Sequence, residues 1–149
     1  MLLGKRARIG LLFWIGFMMY ISIEVIYRGH SHWSMGLAGG ICFLFIGELN
    51  QRFNWETDVL VQMIISMLFI TALEFFAGVI LNIWLKLDIW DYSALRFNLL
   101  GQISLTYSLL WLPLSLVGIV LDDWLRHYLF GEQVPCYKLL GRRIGGVCS

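Results

Sequence analysis

Glu74 is a carboxyl in the middle of an apolar run, with no basic residue within two turns. An ionisable side chain near the centre of a bilayer costs about 2.5 to 3.5 kcal/mol even on lenient insertion scales, so its presence there needs a reason. On a helix advancing 100° per residue, Thr71, Gly78 and Asn82 fall within about 80° of it. This small and polar stripe is suited to face protein or water, and its partner must come from another helix. Asn98, Gln102 and Thr106 supply a matching stripe at i, i+4 and i+8. Two chemistries fit: a polar intramembrane site around Glu74, or a neutral carboxyl that hydrogen-bonds one helix to the next and only fixes packing.

Other polar residues fall near the ends of apolar runs. Glu24 with Arg28, and Glu48 with Arg52, have the Glu-to-Arg i,i+4 spacing that favours a helical ion pair, and both read as helix-end pairs that snorkel to the interface. Trp90, Asp91, Tyr92 and Ser93 form a dense loop in which Asp91 or Ser93 caps a turn, Trp90 and Tyr92 anchor at the interface, and Asn98 caps the following helix. His30 and His32 lack a third ligand nearby and read as a polar turn, and no metal site or cofactor is expected. Asp122 and Asp123 are adjacent, point to different sides of a helix, and read as solvated surface. Cys42, Cys136 and Cys148 show no C-x-x-C spacing and read as free thiols. The chain carries no Walker A sequence and no serine or cysteine near a histidine at membrane depth, so an enzyme is not expected.

The elements that position these residues follow from composition. Of 149 residues 59% are hydrophobic and 14% charged, with a mean hydropathy of +0.75, whereas a soluble domain carries about 25% charge. The expected class is an all-α polytopic membrane protein in one membrane domain, 1–149, with the lipid bilayer as its solvent. Its transmembrane helices cover about 9–27, 33–49, 59–85 and 99–121. After them, Leu121, Trp124, Leu125, Tyr128 and Leu129 recur at helical spacing opposite Asp122, Asp123, Arg126 and His127. That pattern predicts a short amphipathic helix, about 121–130, lying on the membrane surface, followed by a flexible basic tail over 131–149.

Four crossings put both termini on one side. Lys5, Arg6, Arg8, Arg52, Arg126, Lys138, Arg142 and Arg143 then face Arg28, Lys86 and Arg96 across the membrane, eight against three. The excess of Lys and Arg places both termini in the cytoplasm of a cell membrane. Trp33, Trp55, Trp84, Trp90 and Trp124 fall near span ends, as interfacial rings do. Gly36, Gly40 and Gly47 share one helix face, while Gly101, Ser104, Ser108, Ser115 and Gly118 form a small-residue stripe on the fourth span. Both stripes suit close helix packing, within the chain or between copies. A net charge of +1 calls for no nucleic acid.

Glu74-Phe75 with Gly78, Ile80, Leu81 and Asn82, then Trp90-Asp91-Tyr92-Ser93, then Phe97-Asn98-Leu99 with Gly101, Ile103, Ser108 and Trp111, resemble the CmpB-like family of multi-pass bacterial membrane proteins grouped as type IV ABC-transporter permeases. Glu24 with Tyr27-Arg28 extends the likeness, which covers about three quarters of the chain. Ala94-Leu95-Arg96 departs from it where a proline-containing link is expected. The resemblance implies a permease-like or transport-associated protein whose distinctive site is Glu74 with the aromatic loop. Four helices are few for a transport path, so a homo-oligomer or a further membrane or ATPase subunit is expected as partner. The alternatives are a membrane scaffold, in which the polar stripe only fixes packing, and a small pore-forming protein of the holin type.

Overall fold

Four long helices build the protein in the computed structural model, which describes residues 4–53 and 56–144. Trp55 and Cys148 lie outside the described residues. Helix α1 spans Lys5–Arg28, α2 Trp33–Arg52, α3 Val59–Gly78 and α4 Leu105–Phe130. After Gly78 the third helix widens into a π-helical turn over Val79–Trp84, so its apolar segment runs unbroken from Val59 to Trp84. All four are long and apolar enough to cross a membrane, at about 30 to 39 Å each for a rise of 1.5 Å per residue.

The helix ends obey local chemistry. Gly29, at φ +79°, and Gly131, at φ +70°, stop α1 and α4 in the left-handed conformation that glycine adopts without penalty. Asp58 accepts from Leu60 N at 3.0 Å at the start of α3, and Ser104 Oγ accepts from Tyr107 N at 3.4 Å at the start of α4. Pro113 sits inside α4. The carbonyl it leaves unpaired is of the kind that membrane helices accommodate through neighbouring groups.

Helix α2 is the centre of the bundle: half of its most apolar stretch is buried, against 17% for α1. Its glycines let α1 approach closely. A Cβ on Gly36 or Gly40 would stand 2.6 Å from the ring of Phe17 or Phe13, and one on Gly39 would stand 2.3 Å from Tyr20 Cβ. On α1 itself, Gly16 meets Phe43 in the same way, at 2.4 Å. Gly36 and Gly40 therefore pack within the chain, and Gly47 faces a different element, with Asp122 against it. Ile46, Val59, Met63, Ile70 and Ile119 form the apolar core where α2, α3 and α4 meet.

Three expectations change at the start and end of α4. The fourth helix begins at Leu105 rather than near 99, because Gly101 at φ +68° turns the chain. Strands β1 (Asn98–Leu99) and β2 (Ile103–Ser104) pair there as a small antiparallel hairpin. Gly101 is thus a turn residue and Ser104 a helix cap, while Ser108 stays on the helix, half-buried. The segment 121–130 is not a separate surface helix but the last turns of α4. The tail does not trail away: β3 (Tyr137–Leu139) and β4 (Arg142–Ile144) form a second hairpin that bridges to Asp58 through Lys138. Cys136, just before β3, is buried and disulfide-bonded, in contrast to the free thiol expected. Backbone folding, which spacing alone does not reveal, accounts for that difference. Cys42 is free.

One end of the bundle gathers the start of α1, the end of α4 and the α2–α3 connection. Arg8 reaches Glu132 at 3.6 Å and lies over the Phe130 ring, 4.8 Å from its centre. Arg143 and Lys138 both pair with Glu56, and the Arg143 hydrogen bond and charge hold that carboxyl below the usual carboxylate range. The opposite end carries Arg28, His32 and the loop from 85 to 104.

Candidate functional site

Glu74 is buried on α3 and binds two aromatic donors. Tyr92 Oη donates to Oε1 at 2.9 Å, and Trp111 Nε1 donates to Oε2 at 3.1 Å. Trp111 comes from α4 and stacks on Tyr20 of α1, 6.1 Å between ring centres. Tyr92 comes from the loop and stacks on Tyr107 of α4 at 4.6 Å. Burial, then the Glu74 carboxylate, hold the Tyr92 phenol well above its ordinary pKa, so it stays a donor. Both partners of Glu74 are neutral, and the carboxyl can therefore take up or release a proton without breaking an ion pair. A cavity of about 20 Å³ beside it, lined by Cys42, Ala77 and Trp90 among others, has room for about one water.

Two helical turns above, the π-helical turn aims Asn82 at the underside of the loop. Asn82 Nδ2 donates to Gln102 Oε1 at 2.8 Å and to Trp90 O at 3.0 Å. Its Oδ1 accepts from Ile89 N at 2.8 Å. Trp90 is buried and donates its Nε1 to Gln102 O at 2.9 Å. Both Trp90 and Tyr92 turn inward, where Gln102 O and Glu74 accept from the indole N–H and the phenol. π-Turns inside helices are frequent at functional sites.

The loop is held by strained backbone and by α1. Lys86, Asp88, Phe97 and Leu100 adopt φ between 48° and 54°, a conformation non-glycine residues keep only where surrounding contacts impose it. Arg28 bridges the loop to α1, donating to Ile89 O at 2.8 Å and to Glu24 Oε1 at 2.9 Å. Ser31 Oγ donates to the other Glu24 oxygen. Asp91 accepts from the Ser93 amide and hydroxyl, both at 2.8 Å, and these bonds hold it below the usual carboxylate range. Glu48 and Arg52 pair at 3.0 Å on the exposed side of α2.

The structure thus brings Glu74 together with Tyr92, and Asn82 with Gln102 and Trp90, but not in the pattern expected. Gln102 contacts Asn82 from a hairpin rather than from a helix. Thr106 is exposed on α4, so it cannot partner Glu74. Asn98 caps no helix: it accepts from Gly101 N at 3.1 Å and donates to Leu95 O at 2.7 Å, closing the turn. Thr71 is half-buried, and its hydroxyl has no partner among the described residues. Trp111 was the missed partner. Its signal was an indole at mid-span, away from the interface where the other tryptophans of the span ends fall.

A second polar centre lies at the end that holds Arg8 and the C-terminal hairpin. Asp122 and Asp123 are fully buried rather than solvated. Arg126 Nε donates to Asp122 Oδ2 at 2.6 Å, while Asn50 and Tyr137 donate to the two oxygens of Asp123, Tyr137 at 2.9 Å. A cavity of about 360 Å³ opens beside Asp123, Arg126 and Glu132. Trp124, Tyr128 and Leu129 occupy the outward face of α4. In a membrane the apolar face of such a helix turns to lipid and its acids turn in, which is the physical reason that the surface-helix expectation fails.

Residues 11–130 match the protein family described as "Putative ABC-transporter type IV". No curated protein and no solved structure matches the chain.

Proposed function

Since the chain belongs to that type IV ABC-transporter family, we propose that it is a small permease-like membrane protein acting in transport, with both termini in the bacterial cytoplasm. Its working site is Glu74 with Tyr92 and Trp111, closed over by the loop from 85 to 104. The observation that carries this reading is a mid-span carboxyl bound only by neutral donors, under a loop with four strained residues. A structural carboxyl has no need of a strained cover. The chain acts as an oligomer or with a membrane or ATPase subunit, because four helices enclose little volume around Glu74. It is not itself an enzyme.

Chromosomal replacement of Glu74 by Gln and by Leu tests the site. Loss of the host's transport phenotype with normal protein levels supports the reading, and an unchanged phenotype in both strains overturns it. Native mass spectrometry of protein extracted gently from its host reports stoichiometry and bound subunits, and a lone monomer would count against the assembly.

A further inference from the structure

Five buried side-chain oxygens or hydroxyls have no partner among the described residues: Gln62 Oε1, Ser66 Oγ and Thr71 Oγ1 on α3, and Ser115 Oγ and Asp122 Oδ1 on α4. All five thus lie on two helices that pack against each other. Gln62, Ser66, Ser115 and Asp122 are each at least nine-tenths buried. Buried polar groups in folded proteins are hydrogen-bonded to protein or to water. Asp122 Oδ1 is turned to Gly47 of α2, and the unpaired Gln62, Ser66 and Ser115 on the two facing helices point to water between α3 and α4.

The spacing of the set is regular. On α3, Gln62, Ser66, Ile70, Glu74 and Gly78 recur at i,i+4 and are all buried. Counting four residues per level down both helices from the Trp111 hydrogen bond to Glu74, ideal antiparallel spacing puts Ser115 near the level of Ile70, Ile119 near that of Ser66 and Asp123 near that of Gln62. On that spacing a serine shares a level with an isoleucine of the core cluster at both middle levels, and the polar groups follow a zigzag from Glu74 through Ser115 and Ser66 to Gln62 and Asp123. Successive levels are four residues apart, about 6 Å along the axis. Two hydrogen bonds of about 2.8 Å through one water reach about 5 Å, so each step takes one or two waters. The three steps cover about 18 Å of a hydrocarbon layer about 30 Å thick. Beyond the lower end the cavity of about 360 Å³ beside Asp123 continues outward, and beyond the upper end Tyr92 links Glu74 to the loop.

We propose that the α3–α4 seam is a proton path, in which waters complete the zigzag and protons pass between Glu74 and Asp123. Each hydroxyl or water accepts one proton and gives up another, so only the terminal carboxyls change charge. Gln62 holds the last water toward Asp123, and Ile70 and Ile119 keep the column one molecule wide. The cation carried is the proton, which deepens the transport reading above and rests on it.

The test uses the full chain in phospholipid vesicles holding a pH-sensitive dye, with potassium and valinomycin setting the membrane potential. An inward-negative potential is expected to acidify protein-containing vesicles and not protein-free ones. Ser66→Ala and Ser115→Ala are expected to slow the flux by about tenfold, the equivalent of one lost hydrogen bond of about 1.4 kcal/mol. Ile70→Ser is expected to speed it, a gain that misfolding cannot produce. Circular dichroism and elution volume establish that each variant is folded. Absence of wild-type flux, or serine variants that conduct like the wild type, overturns the path. If vesicles carry no protons while Glu74→Leu still abolishes transport in cells, the proton path fails and the transport function stands.

Discussion

At the scale of single residues, the question is what Glu74 loses when its charge is removed. Glutamine keeps the shape but presents one amide where the carboxylate presents two acceptors, so either Tyr92 or Trp111 loses its acceptor. Glu74→Gln is expected to cost about 1 to 3 kcal/mol, the range for leaving a buried donor unsatisfied. Tyr92→Phe, which removes donor and bond together, is expected to cost about 1 kcal/mol. Detergent-titration unfolding in bicelles measures both, and a loss for Glu74→Gln smaller than that for Tyr92→Phe would contradict the two-donor geometry. Glu74 was legible in the sequence because a charge inside an apolar run stands out. Its partners were not. Periodicity assumes that the facing stripe is helical, and residues 98–104 are a hairpin, so the predicted stripe of Asn98, Gln102 and Thr106 never forms. Asn82 and Gln102 still meet, by way of a π-helical turn that shifts the helix phase.

At the scale of elements, all four spans were legible from hydropathy, and their ends were less so. The fourth helix starts late for want of a signal stronger than Gly101 and Ser104. Its last turns were misread because amphipathicity reports two faces but not which of them meets lipid. Asp122 and Asp123 turn inward, where Asn50, Arg126 and Tyr137 await them, and Tyr137 comes from a tail that composition describes as flexible. That tail carries a pH dependence. Glu56 is held low chiefly by its hydrogen bond to Arg143, so its folded value lies below its unfolded one and the contact contributes fully above the ordinary carboxylate range, near pH 4.3. Its contribution declines as pH falls through that range and is gone once Glu56 is protonated. Hydrogen exchange of the 137–144 amides is expected to quicken at low pH, and Glu56→Gln to make exchange fast at neutral pH. Exchange in Glu56→Gln that matches the wild type would show that the hairpin is held by other contacts.

At the scale of the whole molecule, α1 leans on α2 through glycines and meets lipid with Trp14, Met18 and Ile26. Those glycines are occupied within the chain, so an association between copies must use another face. Gly16→Ala sets a methyl 2.4 Å from Phe43 Cβ, an atom close to the backbone with little freedom to move, and is expected to cost about 1 to 3 kcal/mol by overpacking. Thermal unfolding checks the cost, and native mass spectrometry is expected to give the same copy number as the wild type. The disulfide at Cys136 has a consequence for cell biology. Disulfides persist in oxidising compartments and are opened in the cytosol, so this bond doubles as a postal mark for the side of the membrane its hairpin faces. Thiol alkylation of intact cells by a membrane-permeant reagent reads that mark, and tagging of Cys136 would show the bond opened on the cytoplasmic side. A Cys136 that resists such tagging in living cells would place the hairpin, and with it Arg142 and Arg143, on the outer surface.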